Sequence, residues 1–63
     1  MIHETAIVDK KAKISDSAVI GPYSIIGPHV KIEDGSEIQS HVILQGDTTI
    51  GKNTKIFPFA SIG

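Results

Sequence analysis

Aliphatic residues recur along the chain at a spacing of six. Each sixth residue is isoleucine, valine or leucine, and the residue two places before it is small or of modest volume. The aliphatic series is Ile2, Val8, Ile14, Ile20, Ile26, Ile32, Ile38, Leu44, Ile50, Ile56 and Ile62. The small series is Ala6, Ala12, Ala18, Ser24, Val30, Ser36, Val42, Thr48, Thr54 and Ala60. Because residues two apart lie on the same side of an extended strand, the pattern predicts short strands that bury one side and are joined by turns.

The residues between these strands have the composition of corners. Glycine directly follows the aliphatic position in several hexads, and there we expect the positive φ angle that glycine adopts without steric cost. These glycines are Gly21, Gly27, Gly51 and Gly63. Proline stands one step later, where a residue without an N–H is tolerated. These prolines are Pro22, Pro28 and Pro58. Pattern and turn chemistry together predict an all-β coil of flat sheets.

Four stretches add a family resemblance to the hexads. They are MIHETAIVD at 1–9, IGPYSIIGPHV at 20–30, SHVIL at 40–44 and FPFASIG at 57–63. With the hexads, they resemble the bacterial hexapeptide transferase superfamily over the whole chain, and within it the N-terminal coils of the acyl-[acyl-carrier-protein]–UDP-N-acetylglucosamine O-acyltransferases. The resemblance implies a left-handed parallel β-helix with triangular coils of 18 residues, which gives about three and a half coils for this chain.

The resemblance also implies a function. Members of the family transfer a 3-hydroxyacyl chain from acyl carrier protein to the 3-hydroxyl of UDP-N-acetylglucosamine, the first step of lipid A biosynthesis, as cytoplasmic homotrimers. Their catalytic histidine and their substrate contacts lie in later coils, so no catalytic or substrate-binding residue maps onto positions 1–63. We therefore expect residues 1–63 to be the N-terminal part of a β-helix domain whose remainder is absent, and to be inactive alone. The lack of a polar cap on the last coil favours truncation.

With coils of this length, the outward side chains form columns on three faces. Two faces are polar or charged in most positions. The columns of the third face are Thr5, Tyr23, His41, Phe59 and Ile7, Ile25, Ile43, Ser61. Exposed apolar patches usually mark interfaces, most often between identical copies. We predict an oligomer interface formed by Ile7, Tyr23, Ile25, His41, Ile43 and Phe59. A loop that covers part of this face is the alternative.

Other candidate chemistry is weaker. His3, His29 and His41 invite comparison with zinc-dependent γ-class carbonic anhydrases, but they fall on different faces and lack zinc-ligand spacing. The run GDTTIGK at 46–52 nearly matches a phosphate-binding loop, but Asn53 stands where serine or threonine is needed. His41 is a candidate general base, and its aromatic column favours an interface role. We expect no metal site and no cofactor.

Composition narrows the range of partners. The net charge is −1 and basic residues do not form a run along the chain, so nucleic acid is not an expected partner. The chain has no cysteine, no apolar stretch that could span a membrane and no signal-peptide pattern. A cytoplasmic location follows as the default. Since no catalytic constellation is visible, a β-helical module that works in oligomerisation or interaction remains the alternative to an acyltransferase segment.

The isolated chain is predicted to be marginally stable, or to associate through its open ends. Burying one aliphatic side chain contributes about 1.5–3 kcal/mol, while ordering one backbone residue costs about 1–2 kcal/mol. Chains this short leave little surplus, and unpaired strand edges invite association. Thermal unfolding followed by circular dichroism tests the prediction, and cooperative monomeric unfolding at high temperature would contradict it.

Overall fold

The computed structural model describes all residues from Met1 to Gly63 and contains strands as its regular elements. Each strand has two or three residues and ends on a residue of the aliphatic series. In chain order the strands are β1 Ile7–Val8, β2 Lys13–Ile14, β3 Val19–Ile20, β4 Ile25–Ile26, β5 Val30–Ile32, β6 Glu37–Ile38, β7 Ile43–Leu44, β8 Thr48–Ile50, β9 Lys55–Ile56 and β10 Ser61–Ile62. No helix has the length and apolarity that crossing a membrane requires.

The strands form three parallel sheets that run up the sides of one coil. The first sheet has the order β1-β4-β7-β10, the second β2-β5-β8 and the third β3-β6-β9. Successive strands go to successive sheets, and partners such as Ile7 and Ile25 are 18 residues apart in every pair. The chain is therefore a parallel β-helix of about three coils, as the hexads predicted.

The core is the inward side of this coil. Both series of the hexad point inward, and their members in the middle coils are almost fully buried. The core consists of Ala18, Ile20, Ile26, Val30, Ile32, Ile38, Val42, Leu44 and Ile50. Ile2 departs from the prediction, since 47% of its surface is exposed. It forms only an isolated bridge with Ile20, so it does not have neighbours on both sides along the axis.

Two inward positions carry serine, and both hydroxyls are fully paired. Ser24 donates to the carbonyl of Gln39 (2.7 Å) and accepts from the backbone N–H of Val42 (3.2 Å). Ser36 donates to the carbonyl of Gly51 and accepts from the N–H of Thr54 (3.3 Å). Each hydroxyl thus links corners of adjacent coils, which allows a buried polar group without the cost of an unpaired donor or acceptor.

The predicted role of the glycines is wrong in its detail. Positive φ angles occur not directly after the aliphatic residue but at the second residue of the turn, as in Gly35 (73°) and Asn53 (57°). The glycines after the aliphatic position serve close approach of neighbouring coils. A Cβ atom on Gly21 would lie 2.7 Å from the carbonyl carbon of Gln39, and one on Gly63 would lie 2.6 Å from the carbonyl oxygen of Gln45. Backbone contact along the axis therefore requires glycine there.

The positive φ angles have a common hydrogen-bonding cause. At five corners the residue in this conformation donates its N–H to the coil below. His41 donates to the carbonyl of Pro22 (3.0 Å), Phe59 to that of Ser40 (3.4 Å) and Asn53 to that of Asp34 (2.9 Å). Tyr23 and Gly35 donate instead to the side-chain oxygens Thr5 Oγ1 (3.1 Å) and Ser17 Oγ (3.0 Å). The left-handed conformation aims each N–H along the axis and satisfies it.

Substituting Gly35 by alanine is expected to destabilise the coil. A Cβ atom at φ +73° is strained by about 1–2 kcal/mol, and it would also collide with Asn53 Oδ1. We expect Gly35→Ala to lower the free energy of unfolding by at least that amount in urea denaturation. Gly51→Ala is the matched control, because Gly51 lacks a positive φ and its added Cβ meets only Thr54 Oγ1 at 3.9 Å. Equal losses for the two variants would contradict the argument.

Candidate interaction surface

The first sheet brings the predicted isoleucines together on its outer side. Ile7 pairs in register with Ile25, which pairs with Ile43, and Ser61 ends the column. Alternation along each two-residue strand directs the second residue inward, so the first must face outward. The exposed fractions are 66% for Ile7, 43% for Ile25 and 39% for Ile43. Three branched apolar side chains therefore lie side by side on the surface.

The predicted aromatic residues form a ladder at the corner that precedes this sheet. The ring of His41 lies between those of Tyr23 and Phe59, with centroid distances of 5.2 Å and 5.1 Å. The interplanar angles are 32° and 20°, and this spacing is in the range of favourable aromatic contact. Tyr23 and Phe59 remain 60% and 80% exposed. We call the six side chains of the ladder and the isoleucine column the apolar face.

The backbone beneath the ladder is strained. Tyr23, His41 and Phe59 have φ angles of 60°, 57° and 64°, a region that bulky residues avoid. The equivalent position at the corner between the second and third sheets holds Gly35 and Asn53, which tolerate this conformation. Aromatic residues at three successive corners therefore cost free energy that glycine or asparagine would not. Backbone strain of this kind persists where the side chain has a role.

One exposed aromatic side chain near the apolar face escaped the sequence analysis. Phe57 follows β9, two residues before Phe59, and is 66% exposed. Its column also contains Gly21 and Gln39, so the hexad pattern gave no sign of an apolar surface there. The sequence signal available was local, since the FPF run at 57–59 places two aromatic residues at one corner.

The histidines occupy three separate environments. His3 Nδ1 lies 2.8 Å from Thr5 Oγ1 and accepts the backbone N–H of Thr5 (3.1 Å), which closes a local turn. His29 lies in the turn before the second sheet, whereas His41 belongs to the ladder. No group of three or more histidine, cysteine, aspartate and glutamate side chains is arranged to hold a metal ion. The near match to a phosphate-binding loop runs through β8 and is not followed by a helix.

This fold defines the class of the protein, which is that of the left-handed parallel β-helices built from hexapeptide repeats. The structure of a UDP-N-acetylglucosamine acyltransferase from Francisella novicida matches all of this chain with a TM-score of 0.97 and 51% identity. The structure of LpxA from Acinetobacter baumannii matches 98% of the chain with a TM-score of 0.94 and 53% identity. These matches cover 23% and 24% of the respective chains.

Sequence comparison identifies the particular family. The acyl-[acyl-carrier-protein]–UDP-N-acetylglucosamine O-acyltransferases of Rickettsia peacockii and Rickettsia typhi are 52% and 53% identical over 62 residues, which is 98% of this chain. A family model described as the GMPPB C-terminal domain matches residues 2–63. The chain belongs to the family of acyl-[acyl-carrier-protein]–UDP-N-acetylglucosamine O-acyltransferases. It spans about a quarter of the length of these relatives, 24% in each case.

Proposed function

We propose that this chain is the N-terminal β-helix segment of an O-acyltransferase. The enzyme would move a 3-hydroxyacyl chain from acyl carrier protein to the 3-hydroxyl of UDP-N-acetylglucosamine, in the first step of lipid A biosynthesis and in the cytoplasm. The observation that carries the proposal is the combination of 52% identity over 62 residues with a TM-score of 0.97 to an enzyme of this activity. A shared fold alone would not support a substrate assignment.

Within that enzyme, residues 1–63 would supply structure rather than chemistry. The last coil supports this division, because its inward residues Ile56, Ala60 and Ile62 pack against the core yet are only partly buried. A further coil stacked on them would complete their burial and pair the strand edges. Since the family resemblance puts the catalytic histidine in later coils, we propose that the segment is inactive alone.

The apolar face would be the contact between copies in a homotrimer. Its six side chains combine exposed apolar area with backbone strain, and the strain is restricted to the corner next to the isoleucine column. Burial against another copy would remove apolar surface from water and offset the cost of the conformation. A histidine between two aromatic rings suits such a contact, because aromatic side chains are enriched in interfaces.

Grafting tests the acyltransferase proposal. We would replace the matched 62 residues of the Rickettsia typhi enzyme by those of this chain and assay acyl transfer from acyl carrier protein to UDP-N-acetylglucosamine. We expect a chimera with activity comparable to that of its parent, because the coil register and the inward residues are compatible. The 63-residue chain alone should show no turnover.

The control for this graft is the same chimera with Ile38→Asp. Ile38 is 0% exposed, so a carboxylate there must be buried without a partner and should prevent assembly of the coil. A chimera that folds, by circular dichroism, but transfers no acyl group would contradict the proposed function.

A matched pair of substitutions tests the apolar face. Ile43 on the first sheet and Val19 on the third are both 39% exposed and both start a two-residue strand. We expect Ile43→Thr in the intact protein to weaken association by at least about fivefold, the loss typical of an interface residue that contributes 1 kcal/mol. Val19→Thr should leave it unchanged. Sedimentation velocity over a concentration series measures the effect, and equal behaviour of the two variants would exclude this face as the contact.

A further inference from the structure

The second sheet gathers lysines that are scattered along the sequence. Its outward strand positions are Lys13, Lys31 and Thr49, and the turn residues before these strands are Lys11, His29 and Asp47. All six side chains are exposed. The expectation from the sequence, that basic residues form no stripe, holds for the chain order but not for this surface. We call Lys11, Lys13 and Lys31 the lysine stripe.

Register makes the stripe electrostatically unfavourable in the protein by itself. Lys13 and Lys31 are direct partners in the pairing of β2 with β5, and neighbouring strands lie about 4.8 Å apart. Like charges at directly opposed positions destabilise a sheet. The third sheet shows the favourable arrangement, since Glu37 and Lys55 are partners in the pairing of β6 with β9. The same coil thus pairs opposite charges on one face and like charges on another.

Two grooves flank the paired lysines. A groove of about 380 Å³ is lined by Lys13, Lys31 and Lys52 on one side of the pair. A second groove of about 210 Å³ is lined by Lys11, Lys13 and Lys31 on the other side. The stripe is therefore a ridge of ammonium groups with an indentation along each edge. Such a shape admits side chains that reach down on either side of the ridge.

We propose that the lysine stripe is a docking surface for an acidic protein surface. Lysine presents a mobile point charge, not the planar fork that fixes a phosphate or carboxylate bidentately, so the stripe suits several spaced carboxylates of a partner. Charge complementarity of this kind steers a partner to its site and sets orientation.

Flanking carboxylates argue against a polyanion of uniform charge as the partner. Glu33 and Asp34 line the larger groove and Asp47 lines the smaller one, so negative charge borders the stripe on both sides. A nucleic acid backbone would have to pass these groups, whereas a protein surface can place carboxylates on the stripe and neutral or basic groups beside it. The inference does not depend on the acyltransferase proposal, since it concerns a different face.

Two substitutions of equal charge change test the premise and the binding separately. Lys31→Thr removes a like-charge pair and Lys55→Thr removes an opposite-charge pair, and threonine already occupies position 49 of the stripe's column. We expect Lys31→Thr to have the higher thermal midpoint of the two, by about 1–5 °C. A lower midpoint for Lys31→Thr would overturn the electrostatic argument.

Binding is measured on the intact protein with a fluorescent oligoglutamate peptide, by anisotropy at about 20 mM and about 150 mM NaCl, since screening separates charge contacts from other contacts. We expect saturable binding that weakens with salt, a loss of about threefold to fivefold in Lys31→Thr, and a loss below about twofold in Lys55→Thr. Equal losses in the two variants would overturn the proposal, because net charge alone would then explain binding. Binding of single-stranded DNA in preference to the peptide would also overturn it.

Discussion

The fixed spacing of 18 residues between hydrogen-bonded partners is the constraint on which the rest of the structure depends. Every pair of strands obeys it, from Ile7 with Ile25 to Ile43 with Ser61. Because the spacing never changes, each inward residue meets the same kind of residue above and below it, and each backbone group finds its partner in the next coil. Strands of two residues, too short to be stable alone, are held by this repetition.

The corners are the places where the constraint is expensive. An N–H that must point along the axis requires the left-handed conformation at the second turn residue, and the chain meets this need in two ways. At Gly35 and Asn53 it uses residues that accept the conformation, and at Tyr23, His41 and Phe59 it uses residues that do not. The second choice keeps the hydrogen bond and adds a ladder of rings to the surface. Strain and exposed apolar area thus have one origin.

A core that repeats so strictly leaves the outward positions free to differ. Inward substitutions are limited to a narrow range of volumes, whereas outward residues contact only their neighbours in the same column. The three faces have used this freedom differently, with isoleucines on the first sheet, lysines on the second and an opposite-charge pair on the third. An elongated coil can therefore carry separate contact surfaces without any change in its fold.

The sequence by itself determined the coil, because a hexad pattern that runs without interruption from Ile2 to Ile62 allows one way of burying its aliphatic residues. It also determined the apolar face, since Ile7, Ile25 and Ile43 follow from the period alone. Tertiary structure decided which residues take positive φ, because the direction of an N–H depends on the coil below and not on local sequence; Gly21 is glycine for close approach instead. It also decided that Ile2 stays half exposed and that Lys13 opposes Lys31, since burial and charge density depend on what lies one coil away.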